Sequence, residues 1–249
     1  MEDDIEDRGH EFDRYIAPDT IHPNALAASL CRLHLLGDDV YLRMQATNVG
    51  MVDVFLMGIE TQLRSTLGDD DGPDMELGFL LSAMSQMWIF AVYELLRTWR
   101  QRATTTLELL NANKLSQRIA ELSTDEAFEH VGRKLLAAQL QKVLDDPERA
   151  GEIKEHLRRS GMLYVRLDAL RVTLAKHEDK GDRGSVAYAP GYGRFNLWCG
   201  AIEYTIGRGK DVYGTVNRRD IADGLRSLWD GEAASDEDIA SFKKFMSGR

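Results

Sequence analysis

Two groups of basic side chains offer the clearest route to chemistry in this chain. Residues 148–177 hold seven lysines and arginines against four acids, a local charge of +3. The second group consists of Arg97, Arg100 and Arg102. If the two groups lie side by side, they form a local anion-binding face. The phosphate-binding residues predicted on that face are Arg97, Arg100, Arg166 and Lys176. The alternative is an ordinary solvated helix surface with ion pairs four residues apart, such as Glu155 with Arg159.

His177 is the histidine of most interest among the six in the sequence. It ends a predicted helix that carries arginines, and the chain runs from it directly into a glycine-rich segment. His130 and His156, by contrast, lie in charged helical stretches, so their side chains are predicted to be exposed to solvent.

The common metal and cofactor motifs are all incomplete in this sequence. Asp211 follows the glycine and lysine at 209–210, where a phosphate-binding loop needs serine or threonine. The aspartates at 69–71 lack the alternating ligands and the downstream glutamate of a calcium loop. Cys31 and His34 could be half of a zinc site, but no second pair lies nearby. The sequence therefore predicts no metal ion and no cofactor.

Arg171 and His177 are separated by five residues near the end of the basic helix. This spacing resembles the Arg-x(4–6)-His motif of HEPN domains, which are small helical bundles found in prokaryotic toxin–antitoxin, abortive-infection and CRISPR-associated ribonucleases. The motif covers seven residues, and the helical stretch from about residue 49 to 177 is compatible with the HEPN fold.

The resemblance implies a metal-independent ribonuclease of a prokaryotic defence or toxin–antitoxin system. By that resemblance, His177 acts as general acid or base on the ribose 2′-hydroxyl or on the leaving oxygen. Arg171 holds the scissile phosphate through a charge-assisted contact. HEPN ribonucleases typically form homodimers in which two such motifs face one cleft, so the resemblance also implies RNA and a second copy as partners.

Two features of the motif depart from active HEPN families. Val172 stands at a position that is often polar in them. On a regular helix, a separation of six residues leaves Arg171 and His177 about 120° apart, so the side chains meet only if the helix ends between them. The glycine at 181 is compatible with such an end. In the alternative interpretation, Arg171 pairs with Asp168 and His177 caps the helix C-terminus.

The charge of −10 excludes a uniformly basic nucleic-acid-binding protein. Residues 1–20 carry a net charge of −6, which leaves −4 for the other 229 residues. This acidic leader is predicted to be mobile, and it is the opposite of a secretion signal. The chain contains two cysteines, too few for a disulfide framework. The sequence therefore predicts a cytoplasmic protein.

The elements that must position these residues are predicted to be helices over most of the chain. Apolar residues at helical spacing predict helices at about 49–67 and 75–110, separated by a break rich in aspartate and glycine. A capping box at Ser123 and Glu126 predicts a third helix that extends to Asp146. A fourth begins at Pro147 and is interrupted or kinked at 160–161. The apolar stretch 25–36 is predicted to be a further helix.

The sequence changes character after residue 180. Alternating residues predict a strand at 202–206 with a hairpin partner at 212–216. Asn217 with Asp220 is predicted to cap a following helix, and a last helix opens at Ser235. The predicted fold class is mainly α, with a leader at 1–20, a helical bundle at 21–180 and a small β-containing extension at 181–249.

Two further hypotheses concern binding without catalysis. The first is a dimeric interaction or regulatory protein whose segment 185–216 binds a partner protein or ligand. The aromatic residues of that segment are Tyr188, Tyr192, Phe195, Trp198, Tyr204 and Tyr213. The second is that the acidic leader occupies the basic face and inhibits it.

The uncharged run at 77–93 is predicted to be a buried core helix, because it is shorter than a membrane-spanning segment, so no membrane partner is predicted.

Overall fold

The computed structural model describes residues 15–68, 72–124, 131–175, 193–208 and 211–247. The helices among them are α1 (Ala25–Cys31), α2 (Val40–Thr66), α3 (Met75–Asn111), α4 (Leu115–Ser123), α5 (Val131–Asp145), α6 (Pro147–Arg159), α7 (Gly161–Ala175), α8 (Arg218–Arg226) and α9 (Asp236–Ser247). The strands are β1 (Arg194–Phe195), β2 (Ile202–Arg208) and β3 (Asp211–Asn217). The predicted mainly-α class with a small β extension is confirmed.

Helices α2 and α3 form an antiparallel pair at the centre of the fold. The indole N–H of Trp88 donates to the carbonyl of Val49 at 2.9 Å, while Arg102 reaches Asp39 at 2.7 Å. Between these two contacts the residue number increases along α3 and decreases along α2, so the two helices run antiparallel. Asp39 also caps α2 by accepting hydrogen bonds from the first amides of the helix. Both predicted helices are confirmed, and α2 begins nine residues earlier than expected.

The prediction for the third helix is wrong at its start. Ser123 is the last residue of α4, and its hydroxyl donates to the carbonyl of Ile119 at 2.8 Å instead of capping a new helix. A serine hydroxyl can bond a carbonyl four residues back as readily as a following amide, so the local pattern was ambiguous. Glu126 lies outside the described residues. The start at Pro147 and the break at 160–161 are confirmed, with the Asp146 side chain as the α6 cap.

The C-terminal hairpin is also confirmed. The sheet order is β1-β2-β3 with antiparallel neighbours, and Tyr204 of β2 pairs with Val216 of β3. Asn217 and Asp220 form a reciprocal capping box at the start of α8. The apolar side chains of the sheet and of α8 are part of the same core as the helices, so the extension packs directly on the bundle.

A buried charged cluster joins α8 to α2, and the sequence did not predict it. Arg218 donates to both carboxylate oxygens of Glu60, at 2.8 and 2.6 Å, and also bonds Asp53. All three residues are buried. Because each charge has an opposite partner, the cluster avoids most of the cost of burying an isolated ion.

The end of the predicted mobile leader is held in place. The Asn217 amide donates to the Tyr15 hydroxyl at 2.8 Å, and Arg219 donates to the carbonyl of Ile16 at 2.6 Å. Residues 18–20 form one turn of 3-10 helix. Residues 15–20 thus contact the start of α8, while residues 1–14 lie outside the described residues and the mobility of the leader stays a prediction.

Candidate anion-binding site

Arg100 joins the two predicted basic groups. One of its terminal nitrogens, Nη1, donates to the carbonyl of Leu157 at 2.9 Å and to the hydroxyl of Ser160 at 2.7 Å. These acceptors lie where α6 ends, and the last carbonyls of a helix lack partners within it. The guanidinium therefore bonds the C-terminal end of α6 and holds α3 against the α6–α7 junction.

Tyr93 and Arg100 of α3, with Tyr164 and Arg171 of α7, form what we call the arginine–tyrosine cluster. The two tyrosine rings are stacked, with centroids 5.7 Å apart and planes 13° from parallel. The Arg171 guanidinium lies 4.3 Å from the Tyr93 ring centroid, and the Arg100 guanidinium lies 4.9 Å from that of Tyr164. Both distances are within the range of a cation–π interaction. Each arginine thus packs on the tyrosine of the other helix.

Hydrogen bonds fix the orientation and the charge of Arg171. Its Nη2 atom donates to the Tyr93 hydroxyl at 2.7 Å and to Asp168 at 3.0 Å. Burial opposes the charge on Arg171, but the bonds to Tyr93 and Asp168 outweigh it and raise the pKa of the guanidinium. The Nε atom bonds no described residue. Because 31% of the side chain is exposed, Arg171 is a positioned cation that solvent or a ligand can reach.

The other polar groups of the cluster have pKa shifts that keep its charge pattern simple. Burial, followed by the hydrogen bond with Tyr93, raises the pKa of Tyr164, so its phenol stays neutral at physiological pH. Burial lowers the pKa of Arg100, but an arginine starts so high that it remains charged near neutral pH. The cluster therefore holds two arginine cations and the neutral Tyr164 phenol.

A groove of about 460 Å³ adjoins the cluster between α6, α7 and α9, and we call it the basic groove. Its charged or aromatic lining residues are Arg100, Lys154, Arg158, Tyr164, Asp236 and Lys243. Among these described residues four are cationic and one is acidic. Glu155 pairs with Arg158 at 2.8 Å through two hydrogen bonds. Because Glu155 and Asp236 offset only two of the four cations, the groove keeps an excess of positive charge. Arg100 and Tyr164 belong to both the cluster and the groove.

The structure brings together only some of the predicted site residues. Arg97 is exposed one turn before Arg100 and pairs with Glu94 at 2.7 Å. Arg166 follows Tyr164 by two residues, which turns it by about 200° around α7 to a different face. The Arg171–Asp168 pair of the alternative interpretation is present. Lys176 and His177 lie outside the described residues.

Sequence reasoning missed the two tyrosines, although a signal for them exists. Tyr93 precedes Arg100 by seven residues, and Tyr164 precedes Arg171 by the same number. Seven residues are close to two helical turns, so each pair shares one helix face. Lys243 was also missed, because only the fold brings α9 beside α6 and α7.

The prediction that His156 is exposed to solvent is wrong. Its side chain is buried, accepts a hydrogen bond from the backbone amide of His34 at 3.2 Å, and packs edge-on against Trp229. Burial, then the nearby His34, lowers the pKa of His156 to about 4. His156 is therefore neutral near pH 7, with its Nδ1 atom unprotonated.

Other candidate reactive groups in the described part of the chain are poorly placed. Burial raises the pKa of the Cys199 thiol to about 12, which disfavours the reactive thiolate. No group of three His, Cys, Asp or Glu side chains that could hold a metal occurs among the described residues.

The described aromatic residues of 185–216 mostly support the core. Phe195 lies so close to α3 that a methyl group on Gly78 would come within 2.7 Å of its ring, and Tyr204 is buried. Trp198 lines a second cavity of about 590 Å³ beside Arg64 and Arg219. Tyr188 and Tyr192 lie outside the described residues, and the side chain of Tyr213 is likewise not described.

Comparisons of the chain with protein-family models, with curated proteins and with solved structures find no match in any of the three. The candidate site therefore has to be interpreted from its own geometry and charge.

Proposed function

We propose that this protein binds single-stranded RNA over the arginine–tyrosine cluster and the basic groove, and cleaves it without a metal ion. The observation that carries the binding proposal is the fixed pair of guanidinium groups, each held on a tyrosine ring at the edge of a groove with excess positive charge. A guanidinium suits phosphate because its donors match two phosphate oxygens at once.

A chain of phosphates fits this surface better than a single small anion does. The cations come from three different helices, with Arg171 on α7, Lys154 on α6 and Lys243 on α9. Spread-out charges of this kind contact successive phosphates of one strand, each contact releasing counterions. Basic grooves that follow the backbone are a general feature of proteins that bind single strands.

The catalytic part of the proposal rests on the HEPN resemblance of Arg171 and His177. In the proposed step, the ribose 2′-oxygen attacks the adjacent phosphorus and the bond to the 5′-oxygen breaks. His177 removes the 2′-hydroxyl proton or protonates the leaving oxygen, while Arg171 binds the phosphate and stabilises its developing charge. The products are a 2′,3′-cyclic phosphate and a 5′-hydroxyl. A role in prokaryotic defence or toxin–antitoxin function, in the cytoplasm, is part of the same proposal.

Binding and cleavage are tested separately with one set of variants. Fluorescence anisotropy with a labelled single-stranded RNA measures binding, and gel analysis of the same RNA in excess chelator measures cleavage. We expect Arg171→Ala to weaken binding and abolish cleavage, and His177→Ala to abolish cleavage while retaining binding. The control is Arg118→Ala, because Arg118 lies on α4 outside the cluster and the groove and pairs with an acid three residues away, as Arg171 does.

The outcomes separate the two parts of the proposal. If Arg171→Ala and Arg118→Ala weaken RNA binding equally, the effect is one of net charge and the binding site is refuted. If RNA is not cleaved, or is cleaved equally by Arg171→Ala and His177→Ala, the catalytic proposal is refuted. Binding that depends on Arg171 without cleavage favours the second candidate, a non-catalytic interaction protein, which the exposed apolar residues of α2 and α3 also support.

A further inference from the structure

The cavity of about 590 Å³ beside Arg64 and Arg219 lies where the second half of α2 meets the first turn of α8. Its other walls are the segment 15–19 and the loop between β1 and β2. None of its lining residues belongs to the basic groove. Its volume is within the range of cavities that hold small molecules, about 300–1,000 Å³. We call it the α2–α8 cavity.

Hydrogen bonds and close packing hold the walls of the α2–α8 cavity in place. The side-chain oxygen of Asn196 accepts a hydrogen bond from the Trp198 amide at 2.9 Å, which fixes the loop between β1 and β2. Gly200 ends that loop with a φ of +75°, and a Cβ atom there would come within 2.0 Å of the Glu60 carbonyl oxygen. The segment 15–19 is tied to the start of α8. The cavity is therefore preformed.

Arg219 brings a buried cation with incomplete hydrogen bonding to the α2–α8 cavity. Its side chain is 1% exposed, and its Nη2 atom donates to the Ile16 carbonyl at 2.6 Å and to Asp223 at 3.2 Å. The Nε and Nη1 atoms hydrogen-bond to no described residue. Glu60 lies 3.9 Å from Nη1, which is beyond hydrogen-bond distance. Because a buried donor without an acceptor costs stability, an acceptor delivered through the cavity is favourable.

Arg64 adds a second cation, which is open to solvent. Its Nη1 atom donates to the Trp198 carbonyl at 3.1 Å, and its side chain is exposed. No acid in the described part of the chain pairs with it. Asp19 also lines the cavity, so two cations face one acid. This balance favours a ligand with a single negative charge, which is the charge of a carboxylate at neutral pH, over a phosphate monoester with nearly two.

Apolar side chains lie beside these cations. Leu197 is 66% exposed and Ile16 is 40% exposed, and both line the cavity. Removing large apolar side chains from water is favourable. Small-molecule sites commonly combine an apolar lining with a few polar groups that orient the ligand. The lining therefore fits a molecule with an anionic head group and an apolar body.

From these contacts, we propose that the α2–α8 cavity binds a small organic carboxylate whose body is an aromatic ring or a branched aliphatic chain. The carboxylate accepts hydrogen bonds from the guanidinium groups of Arg64 and Arg219, and the body covers Leu197 and Ile16. The bound molecule contacts α2, α8 and the segment 15–19 together, so it stabilises the folded chain by mass action. The proposal does not depend on RNA binding or cleavage.

Isothermal titration calorimetry of the full chain with phenylacetate, indole-3-acetate and 4-methylpentanoate tests the proposal. We expect at least one of these acids to bind with a Kd of about 1 mM or below. The neutral amide of the acid that binds best has the same shape without the charge. It should bind at least about tenfold more weakly, because charge-assisted hydrogen bonds are the stronger ones.

Two variants and a matched control locate the binding site. Arg64→Gln should weaken binding at least about tenfold, and Leu197→Ala should weaken it about fivefold through lost apolar contact. The control is Arg43→Gln, because Arg43 is also exposed on α2 but lies outside the cavity. This control should change the affinity by less than about twofold, since exposed charges at a distance are screened by salt. Circular dichroism confirms that each variant folds.

Several outcomes overturn the proposal. It is wrong if none of the three acids binds below about 5 mM, or if the amide binds as tightly as its acid. It is also wrong if Arg64→Gln and Arg43→Gln weaken binding equally, or if Leu197→Ala leaves the affinity unchanged. Phenyl phosphate tests the head group: tighter binding than that of phenylacetate, with the same dependence on Arg64, would contradict the assignment of a carboxylate.

Discussion

Protonation of His156 should destabilise the fold at mildly acidic pH. The imidazole of His156 packs against the loop after α1 and against Trp229. Its Nδ1 atom must be unprotonated to accept the hydrogen bond from the His34 amide. Adding a proton replaces that acceptor with a donor and places a charge in a buried position next to the His34 ring, 4.8 Å away. Because α6 carries Lys154 and Arg158, loosening it also disturbs the basic groove.

The size of the expected loss in folding stability follows from the shift in the pKa of His156 from 6.5 to about 4. The folded-state pKa lies below the unfolded one, so the unfolded chain takes up the proton first. The contribution to stability is complete above pH 6.5 and falls as the pH drops through the window between the two values. Linkage gives a loss of about 2 kcal/mol at pH 5 and about 3 kcal/mol in total.

Urea unfolding at about pH 7.5 and pH 5 measures this loss. His156→Asn retains an acceptor for the His34 amide and removes the titration, so wild type should lose about 2 kcal/mol more than this variant over the interval. His22→Asn is the control, because His22 is exposed and also accepts a backbone amide, that of Asn24. Equal pH dependence in wild type and His156→Asn would refute the reasoning.

Two further predictions concern the site and the core. The affinity for single-stranded RNA should fall as the salt concentration rises. Lys243→Gln should reduce the slope of log K against log salt concentration by about 0.7, the contribution of one phosphate contact. An unchanged slope would show that Lys243 of α9 does not contact the RNA. Arg218→Met should lower the free energy of unfolding by about 3 kcal/mol, because it removes both hydrogen bonds to the buried Glu60 carboxylate and one of the two arginines that pair with the buried Asp53. In the same urea titrations, Arg118→Met removes the exposed pair with Glu121 and should cost less than about 1 kcal/mol; similar losses in both variants would contradict the difference between buried and exposed pairs.

Local signals predicted the parts of the fold that local physics determines. Asn217 with Asp220 and Asp146 with Pro147 mark helix starts because their hydrogen bonds close within a few residues. The Ser123 signal failed because a serine side chain can serve a helix end as well as a start. Periodicity was sufficient for α2 and α3 because each buries one long apolar stripe.

The features that the sequence could not reveal depend on contacts between distant residues. Nothing near His156 indicates that Trp229 will bury it. Charged residues are normally exposed, so the burial of Glu60 with Arg218 has no local signature. Arg171 was found from its spacing to His177, but its position on the Tyr93 ring depends on how α7 packs against α3. The sequence thus predicted Arg100, Arg171 and the Arg171–Asp168 pair, whereas Lys243 and the two tyrosines depend on the packing of α3, α7 and α9.

RNA cleavage in the presence of chelator, with a strand of ribonucleotides and a matched strand of 2′-O-methyl nucleotides, tests most directly whether this surface performs 2′-hydroxyl chemistry. We predict that the protein binds both strands, cuts only the ribonucleotide strand, and leaves 2′,3′-cyclic phosphate ends, with no cleavage by His177→Ala. Cleavage of the methylated strand, cleavage that requires added metal, or no cleavage of either strand would contradict the proposed activity.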